Sequence, residues 1–97
     1  MRFDWDDEKA AANVAKHGID FEQARLLFDG PMFIRPDVSA RYDEERFIAI
    51  GMAGGTAMIL VYTERDNVVR IISLRNASRA ETARFFGTLG RTGPRNG

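Results

Sequence analysis

The sequence predicts an α+β domain in which helices pack on one face of a twisted antiparallel β-sheet. Residues 7–28 hold two stretches with helical periodicity and capping signals, whereas residues 32–74 hold runs of β-branched and aromatic residues separated by polar or glycine-containing turns. A further capping signal follows at residue 78. Because helices and strands fall in separate blocks, the pattern favours two N-terminal helices, about four strands and a short C-terminal helix.

The first helix is bounded by Asp6, a favourable N-cap residue, and by Gly18, which suits the left-handed position after a helix. Its small apolar face is expected to pack closely on the sheet and comprises Ala11, Val14 and Ala15. A polar stripe lies at helical spacing beside that face and comprises Lys9, Asn13 and Lys16 or His17.

Two capping boxes mark the starts of the other helices. Asp20 and Gln23 open the second helix, which ends before Pro31, and Ser78 and Glu81 open the C-terminal helix. We expect residues 1–86 to form a single domain and residues 87–97, which are rich in Gly, Thr, Arg and Pro, to form a flexible basic tail.

Four strands are predicted, at residues 32–34, 46–51, 57–63 and 68–74. The last three are joined by short turns, so neighbouring strands should pair as an antiparallel meander. Residues 3–5 are interpreted either as an edge strand or as an apolar staple in front of the first helix. The acidic run at residues 43–45 is interpreted as a solvated loop.

Composition excludes several classes of site. The 97-residue chain is 44% apolar and 29% charged, as in ordinary globular domains, and it has no Cys and one His. Disulfides and Cys or multi-His metal sites are therefore excluded, so only a carboxylate site could hold a metal, and we expect no metal or cofactor. No apolar run reaches the ~18 residues of a membrane helix, and the first residues are acidic rather than signal-like. We expect a cytoplasmic protein without a membrane partner.

The net charge of zero hides an asymmetry between the two halves of the chain. Residues 1–48 carry 11 acidic and 7 basic side chains, whereas residues 49–97 carry 3 acidic and 7 basic ones, all of them Arg. Arg recognises phosphate bidentately better than Lys does. This asymmetry indicates either an anionic partner for the second half or a solvated surface that uses Arg.

The hairpin at residues 61–75 concentrates the unusual side chains. Glu64, Arg70, Ser73 and Arg75 interrupt runs of Val and Ile in what should be well-ordered strands. With a two-residue turn at Asp66-Asn67, Glu64, Ser73 and Arg75 would share one face of the hairpin and Arg70 would lie on the other. A longer loop or a β-bulge would change this assignment, so the face stays open.

Three of the candidate residues could transfer protons or stabilise charge. Metal-free RNA cleavage needs a base for the 2′-OH, an acid for the leaving 5′-oxygen and cations for the phosphorane charge. Glu64, His17 and Lys9 supply such groups, and His17 titrates nearest to neutral pH. Alternatively, Glu64 is a solvated strand end, His17 is placed for the helix dipole, and Lys9 is a solvated lysine.

The remaining candidates could bind phosphate. Arg70 and Arg75 carry guanidinium groups on a rigid sheet, although each could equally form a cross-strand ion pair or the rim of a partner-binding surface. Ser73 is a weaker candidate, because Ser is common in strands and no acid–base partner lies beside it in the sequence.

Five short motifs also carry a resemblance to a known family. They are Phe3-x-Trp5-Asp6-x-x-Lys9-x-x-x-Asn13-x-x-Lys16-His17-Gly18, Phe21-x-x-Ala24-x-x-x-Phe28, Glu45-Arg46-Phe47-x-x-Ile50-Gly51, Val61-Tyr62-Thr63-Glu64-Arg65 and Arg70-Ile71-Ile72-Ser73-x-Arg75. Together they make the chain resemble the BrnT family of bacterial toxins over about residues 3–85.

The resemblance implies a RelE-like fold and a type II toxin that acts as a ribonuclease and inhibits translation. It implies a BrnA-like antitoxin with a ribbon-helix-helix domain, through which the complex, a heterotetramer or dimer, would bind its operator DNA. The polar positions that match the family are Lys9, Asn13, Lys16, His17, Arg46, Tyr62, Glu64, Arg65, Arg70, Ser73 and Arg75.

The chain also departs from the family at two places. Family members commonly have Lys where this chain has Asn76, and they often have Tyr in the final helix, where this chain has Phe85 and Phe86. These departures favour an alternative, a catalytically impaired interaction module that sequesters a ribbon-helix-helix partner. A DNA-binding regulator is disfavoured, because no predicted helix carries a basic recognition face.

Overall fold

The computed structural model describes residues 1–38 and 45–92 of the chain. Its elements are β1 (Arg2–Trp5), α1 (Asp7–His17), a 3₁₀ turn (Phe21–Gln23), α2 (Ala24–Phe28), β2 (Met32–Pro36), β3 (Phe47–Ala53), β4 (Thr56–Arg65), β5 (Val68–Asn76) and α3 (Arg79–Thr92). The five strands form one sheet in the order β1-β5-β4-β3-β2. The predicted α+β class is confirmed.

The sheet has one strand more than predicted, and it is mixed. The antiparallel pairs β2–β3, β3–β4 and β4–β5 form the expected meander. Residues 2–5 form an edge strand, one of the two interpretations of this segment. They pair in parallel with β5, from Arg2 opposite Val68 to Trp5 opposite Ile71. The prediction of about four antiparallel strands was therefore wrong, because this pairing joins segments 66 residues apart, which local sequence signals do not report.

The predicted helix boundaries in the N-terminal half are confirmed by their caps. The Asp6 carboxylate accepts hydrogen bonds from the backbone N–H groups of Glu8 and Lys9, and Gly18 has φ 70°. Asp20 and Gln23 form the predicted capping box. That box opens a 3₁₀ turn, and the α-helix that follows is only five residues long.

The main core lies on one face of the sheet. Ile19, Phe21, Ala24 and Leu27, from the segment between α1 and β2, pack there against the inward residues of the strands. Those strand residues include Ala49, Leu60, Tyr62, Val69, Ile71 and Leu74. Phe21, Leu27, Leu60 and Leu74 are fully buried, so this layer supplies most of the apolar burial.

Helix α1 sits differently from the prediction. Ala11, Val14 and Ala15, which were expected to pack on the sheet, are exposed, and Val14 keeps 48% of its surface accessible. The buried residue of α1 is instead Asn13, from the stripe predicted to be polar. Three small side chains offer little apolar area, whereas Asn13 finds backbone hydrogen-bond partners at the edge of β5.

Helix α3 packs on the opposite face of the sheet, so the expectation that all helices share one face was wrong. Phe85 is 2% exposed and meets Phe33 edge-to-face, with ring centroids 5.5 Å apart. Ile48, Ile59 and the other apolar residues on this side would otherwise face water, and α3 forms a partial second layer over them.

Helix α3 opens with the predicted capping box. The Ser78 hydroxyl accepts from the backbone N–H of Glu81, and the Glu81 carboxylate accepts from the backbone N–H of Ser78. The helix has 14 residues and continues to Thr92, past the tail boundary predicted after residue 86. Residues 93–97 of that tail and part of the acidic run at 43–45 lie outside the described residues. No helix in the described segments is long and apolar enough to cross a membrane.

Candidate functional site

The β4–β5 hairpin turns over two residues. Asp66 and Asn67 have φ values of 54° and 65°, the pair of left-handed conformations that a two-residue type I′ turn requires. Glu64 consequently pairs with Val69, as the sequence predicts. Near the turn, the predicted register is confirmed.

Farther from the turn, a β-bulge changes the register. Tyr62 pairs with Ile71, whereas the preceding residue, Val61, pairs with Ser73, so Ile72 is the extra residue of β5. The bulge moves Leu74 onto the core face, where it is fully buried. The two-residue-turn expectation that Ser73 and Arg75 share a face with Glu64 was therefore wrong, and the bulge alternative applies.

Several arginines lie on the side of the sheet that faces away from α2, and the bulge adds Arg75 to them. Cross-strand partners lie on the same side of a sheet. Arg2 and Arg65 both pair with Val68, and Asp4 and Thr63 both pair with Arg70. Because of the bulge, Ser73 and Arg75 lie on this side as well. Arg35 of β2 is also on this side, because it pairs with Ile48, whose partner Val61 pairs in turn with Ser73. We call this surface the arginine face; its arginines are Arg2, Arg35, Arg65, Arg70 and Arg75.

Two of these arginines are held by carboxylates. Arg70 Nη1 lies 2.7 Å from Asp4 Oδ2, in a pair whose two side chains are about half exposed. Arg75 donates from Nη1 and Nη2 to the two oxygens of Glu81, at 2.8 and 2.9 Å. The first pair joins the parallel strands β1 and β5, and the second ties α3 to β5.

The Glu81 carboxylate is strongly favoured in its charged form. Its hydrogen bonds with Arg75, and then with the backbone of Ser78, lower the pKa of Glu81 to about 2. The same hydrogen bond, which Arg75 donates to Glu81, raises the pKa of Arg75 above its usual value. Both groups are therefore ionised near neutral pH, and Arg75 serves as a brace for α3 in this structure.

A groove of about 410 Å³ separates α3 from the sheet at one end of the arginine face. Aliphatic side chains of β3 and β4, among them Ile48, Ile50 and Val61, line it. Arg35 and Arg84 add positive charge to the lining. Neither residue is among the candidates predicted from the sequence, although the Arg excess after residue 48 includes Arg84.

The other candidates lie elsewhere. Glu64 is exposed on the core side of the hairpin, where Tyr62 is buried; burial and then the negative charge of Glu64 raise the pKa of Tyr62. Lys9 and His17 are exposed on α1, at the open edge of β5. Within the described ranges, no hydrogen bond or ion pair links these three candidates to the arginine face. The structure therefore places Arg70, Ser73 and Arg75 on one side of the sheet and leaves Glu64, Lys9 and His17 apart from them.

Asn13 is the polar residue whose placement the sequence analysis missed. It is 7% exposed, and its carboxamide bonds to the backbone of Leu74 and of Ile19. Its position four residues from both Lys9 and His17 was visible in the sequence as a stripe. Nothing in that spacing distinguishes a solvated Asn from one that bonds to a distant strand.

The geometry defines a small α+β domain with an apolar helical layer on one face of its sheet and, on the other face, α3 beside a surface that carries five arginines. A family model described as the ribonuclease toxin, BrnT, of type II toxin–antitoxin systems matches residues 5–81. The chain belongs to this BrnT family, which confirms the resemblance read from its motifs. No curated protein matches the chain. As a toxin of this kind, it has an antitoxin as its partner.

Proposed function

We propose that the protein is a metal-independent endoribonuclease that inhibits translation and binds its RNA on the arginine face. The observation that carries the proposal is the bulge in β5, which sets Ser73 and Arg75 on the same side of the sheet as Arg70. Guanidinium groups on a rigid sheet suit the bidentate recognition of phosphate oxygens. Membership in a family of ribonuclease toxins supports the same reaction class.

In the proposed reaction, the 2′-oxygen attacks the adjacent phosphorus atom and the bond to the 5′-oxygen breaks, leaving a 2′,3′-cyclic phosphate and a 5′-hydroxyl. Arg70 and Arg75 bind the phosphate, and Ser73 donates to one of its oxygens. For proton transfer we propose Glu64 and His17, with Lys9 in support through its charge. Because the structure places these three side chains apart from Arg70, Ser73 and Arg75, this assignment requires that RNA binding bring the two groups to the same phosphate. An RNA strand crossing the end of the hairpin would meet Arg65 and Arg70 on one side and Glu64 on the other.

The partner we propose is a BrnA-like antitoxin with a ribbon-helix-helix domain, which would form a heterotetramer or dimer with the toxin in the cytoplasm. The complex would reach operator DNA only through that antitoxin. Support for this partner comes from the family, whose members act within type II toxin–antitoxin systems.

RNA degradation by the purified protein in EDTA tests the proposal. We expect cleavage by the wild type and strongly reduced cleavage by Arg70→Ala and Glu64→Ala. Arg25→Ala is the matched control, because Arg25 of α2 pairs with Glu22 of the 3₁₀ turn, away from the arginine face. Undiminished cleavage by both site variants would contradict the site assignment. Normal growth of cells expressing the chain without an antitoxin would contradict the toxin function.

A second candidate function is an interaction module that sequesters its partner without cutting RNA. The observation that favours it is that Arg70 and Arg75 already pair with Asp4 and Glu81 in this structure. Measuring the growth of cells that express the chain distinguishes the ribonuclease toxin from the interaction module. An arrest that co-expression of the antitoxin relieves supports the toxin, whereas antitoxin binding without any arrest supports the module.

A further inference from the structure

Asn13 uses its whole carboxamide in hydrogen bonds to the backbone. Its Nδ2 donates to the carbonyl oxygen of Leu74 at 2.8 Å and to that of Ile19 at 3.1 Å. Its Oδ1 accepts from the backbone N–H of Leu74 at 3.3 Å. A side chain that bonds both the N–H and the C=O of one strand residue imitates the peptide groups of a neighbouring strand.

The site of this contact is the point where β5 lacks a strand neighbour. β1 pairs with β5 only from Val68 to Ile71. Ile72 is the extra residue of the bulge, and Leu74 follows two residues later. Asn13 therefore holds the outer edge of β5 immediately after β1 ends and the bulge begins, where backbone groups would otherwise be unsatisfied.

The same contact attaches α1 to the sheet. Among the described residues, the hydrogen bonds between α1 and β5 all come from Asn13. Apolar packing on this helix comes from Ala10, which is partly buried against the core, whereas Ala11, Val14 and Ala15 are exposed. Asn13 therefore attaches α1 to the sheet by hydrogen bonds, and Lys9 and His17 lie one helical turn to either side of it.

We infer that Asn13 is a positioning residue for the arginine face. Its hydrogen bonds to the backbone of Leu74 stabilise the part of β5 after the bulge in its observed register. In that register, Ser73 and Arg75 lie on the same side of the sheet as Arg70. Arg70 itself lies before the bulge, in the part of β5 that β1 supports, so its orientation does not depend on Asn13. The inference rests on the proposed function only where it assigns RNA contact to Arg75.

A double-mutant cycle on RNA binding tests this inference. The probe is a 2′-O-methyl RNA oligonucleotide, which lacks the attacking hydroxyl, and the dissociation constant is measured by fluorescence anisotropy. We expect Arg75→Ala to weaken binding in the wild-type background and to add little in an Asn13→Ala background, a coupling of about fivefold or more. Arg70→Ala should weaken binding by the same factor in both backgrounds. Additive effects of Asn13→Ala and Arg75→Ala would overturn the inference.

Amide hydrogen exchange tests the hydrogen bonds between Asn13 and β5 in the absence of RNA. Asn13→Ala removes both the Oδ1 acceptor of the Leu74 N–H and the Nδ2 donor to the carbonyl oxygens of Leu74 and Ile19. We expect the Leu74 amide to exchange about tenfold faster or more, while the Leu60 amide in the centre of the sheet is unchanged. Asn76→Ala, which removes the same side chain at an exposed position of β5, is the control.

The two experiments can contradict the proposed function and the inference about Asn13 independently of each other. If Arg75→Ala leaves RNA binding of the wild type unchanged, the phosphate assignment in the proposed function is wrong, and the exchange of the Leu74 amide still decides the role of Asn13. If the Leu74 amide exchanges at the wild-type rate in folded Asn13→Ala, the inference is wrong whatever the RNA measurements show. If Asn13→Ala does not fold, both experiments are run with Asn13→Leu, which also lacks the carboxamide.

Discussion

Arg75 and Glu81 form a bidentate ion pair across the junction of β5 and α3, with both terminal nitrogens of the guanidinium bonded to the carboxylate. The pair has side-chain exposures of 43% and 31%, so solvent screens it only in part. The Glu81 carboxylate also caps α3 by accepting from the backbone N–H of Ser78. One side chain therefore both starts the helix and fastens it to the sheet.

We predict that Glu81→Gln destabilises the fold. The substitution removes the charge from the pair and weakens the capping box, which together should lower the free energy of unfolding by about 1–2 kcal/mol after allowing for screening. Urea denaturation followed by circular dichroism measures this change. Glu22→Gln, which breaks the exposed pair with Arg25, is the control and should cost less than about 0.5 kcal/mol. Equal effects of the two substitutions would contradict the prediction.

We predict a loss of stability in acid that depends on Glu81. The folded-state pKa of Glu81 is about 2, well below the usual value of 4.5. The folded state thus binds fewer protons, so the contribution is complete above about pH 4.5 and is lost as the pH falls toward 2. The free energy of unfolding should fall less steeply in Glu81→Gln than in the wild type across this window. Parallel curves for the two proteins would refute the assignment.

We predict that Arg70→Ala weakens RNA binding and reduces its salt dependence. One lost phosphate contact should lower the slope of log K against log salt by about 0.7 for single-stranded RNA. Titrations at several salt concentrations measure the slope. Arg25→Ala, on the other side of the sheet, should leave it unchanged. An unaltered slope in Arg70→Ala would remove this arginine from the RNA surface.

We predict that Leu74→Ala is among the most destabilising single substitutions in β5. Leu74 is fully buried and lies directly after the bulge, so the substitution leaves a cavity and should cost about 2–5 kcal/mol. Val14→Ala, at a 48% exposed position of α1, should cost less than about 0.5 kcal/mol. Thermal or urea unfolding of both variants gives the comparison, and similar losses would contradict the packing described above.

Local signals were sufficient for several elements. Asp6, Gly18 and the capping box of Asp20 and Gln23 lie where the sequence places them, because a helix end is determined by the few residues that satisfy its backbone groups. The hairpin turn at Asp66-Asn67 is likewise local, since these residue types accept positive φ. Both kinds of signal act over fewer than about five residues.

The spacing of the apolar residues in β5 indicates the bulge. The apolar residues of β5 on the core face are Val69, Ile71 and Leu74, and the last spacing is three residues instead of two. A strand with regular alternation would direct Ser73 and Arg75 into the core and Leu74 outward. The bulge turns Leu74 into the core and Ser73 and Arg75 outward. In the sequence, the extra residue between Ile71 and Leu74 indicates it.

By itself, the sequence determined the α+β class, the helix caps, the two-residue turn and the family to which the chain belongs. Only the tertiary structure decided that β1 lies parallel to β5, that Asn13 grips Leu74, and that Asp4 and Glu81 hold Arg70 and Arg75. The physical reason is distance along the chain. Caps and turns satisfy neighbouring backbone groups, whereas the arginine face depends on contacts between residues up to 66 positions apart, and only the packed sheet brings these together.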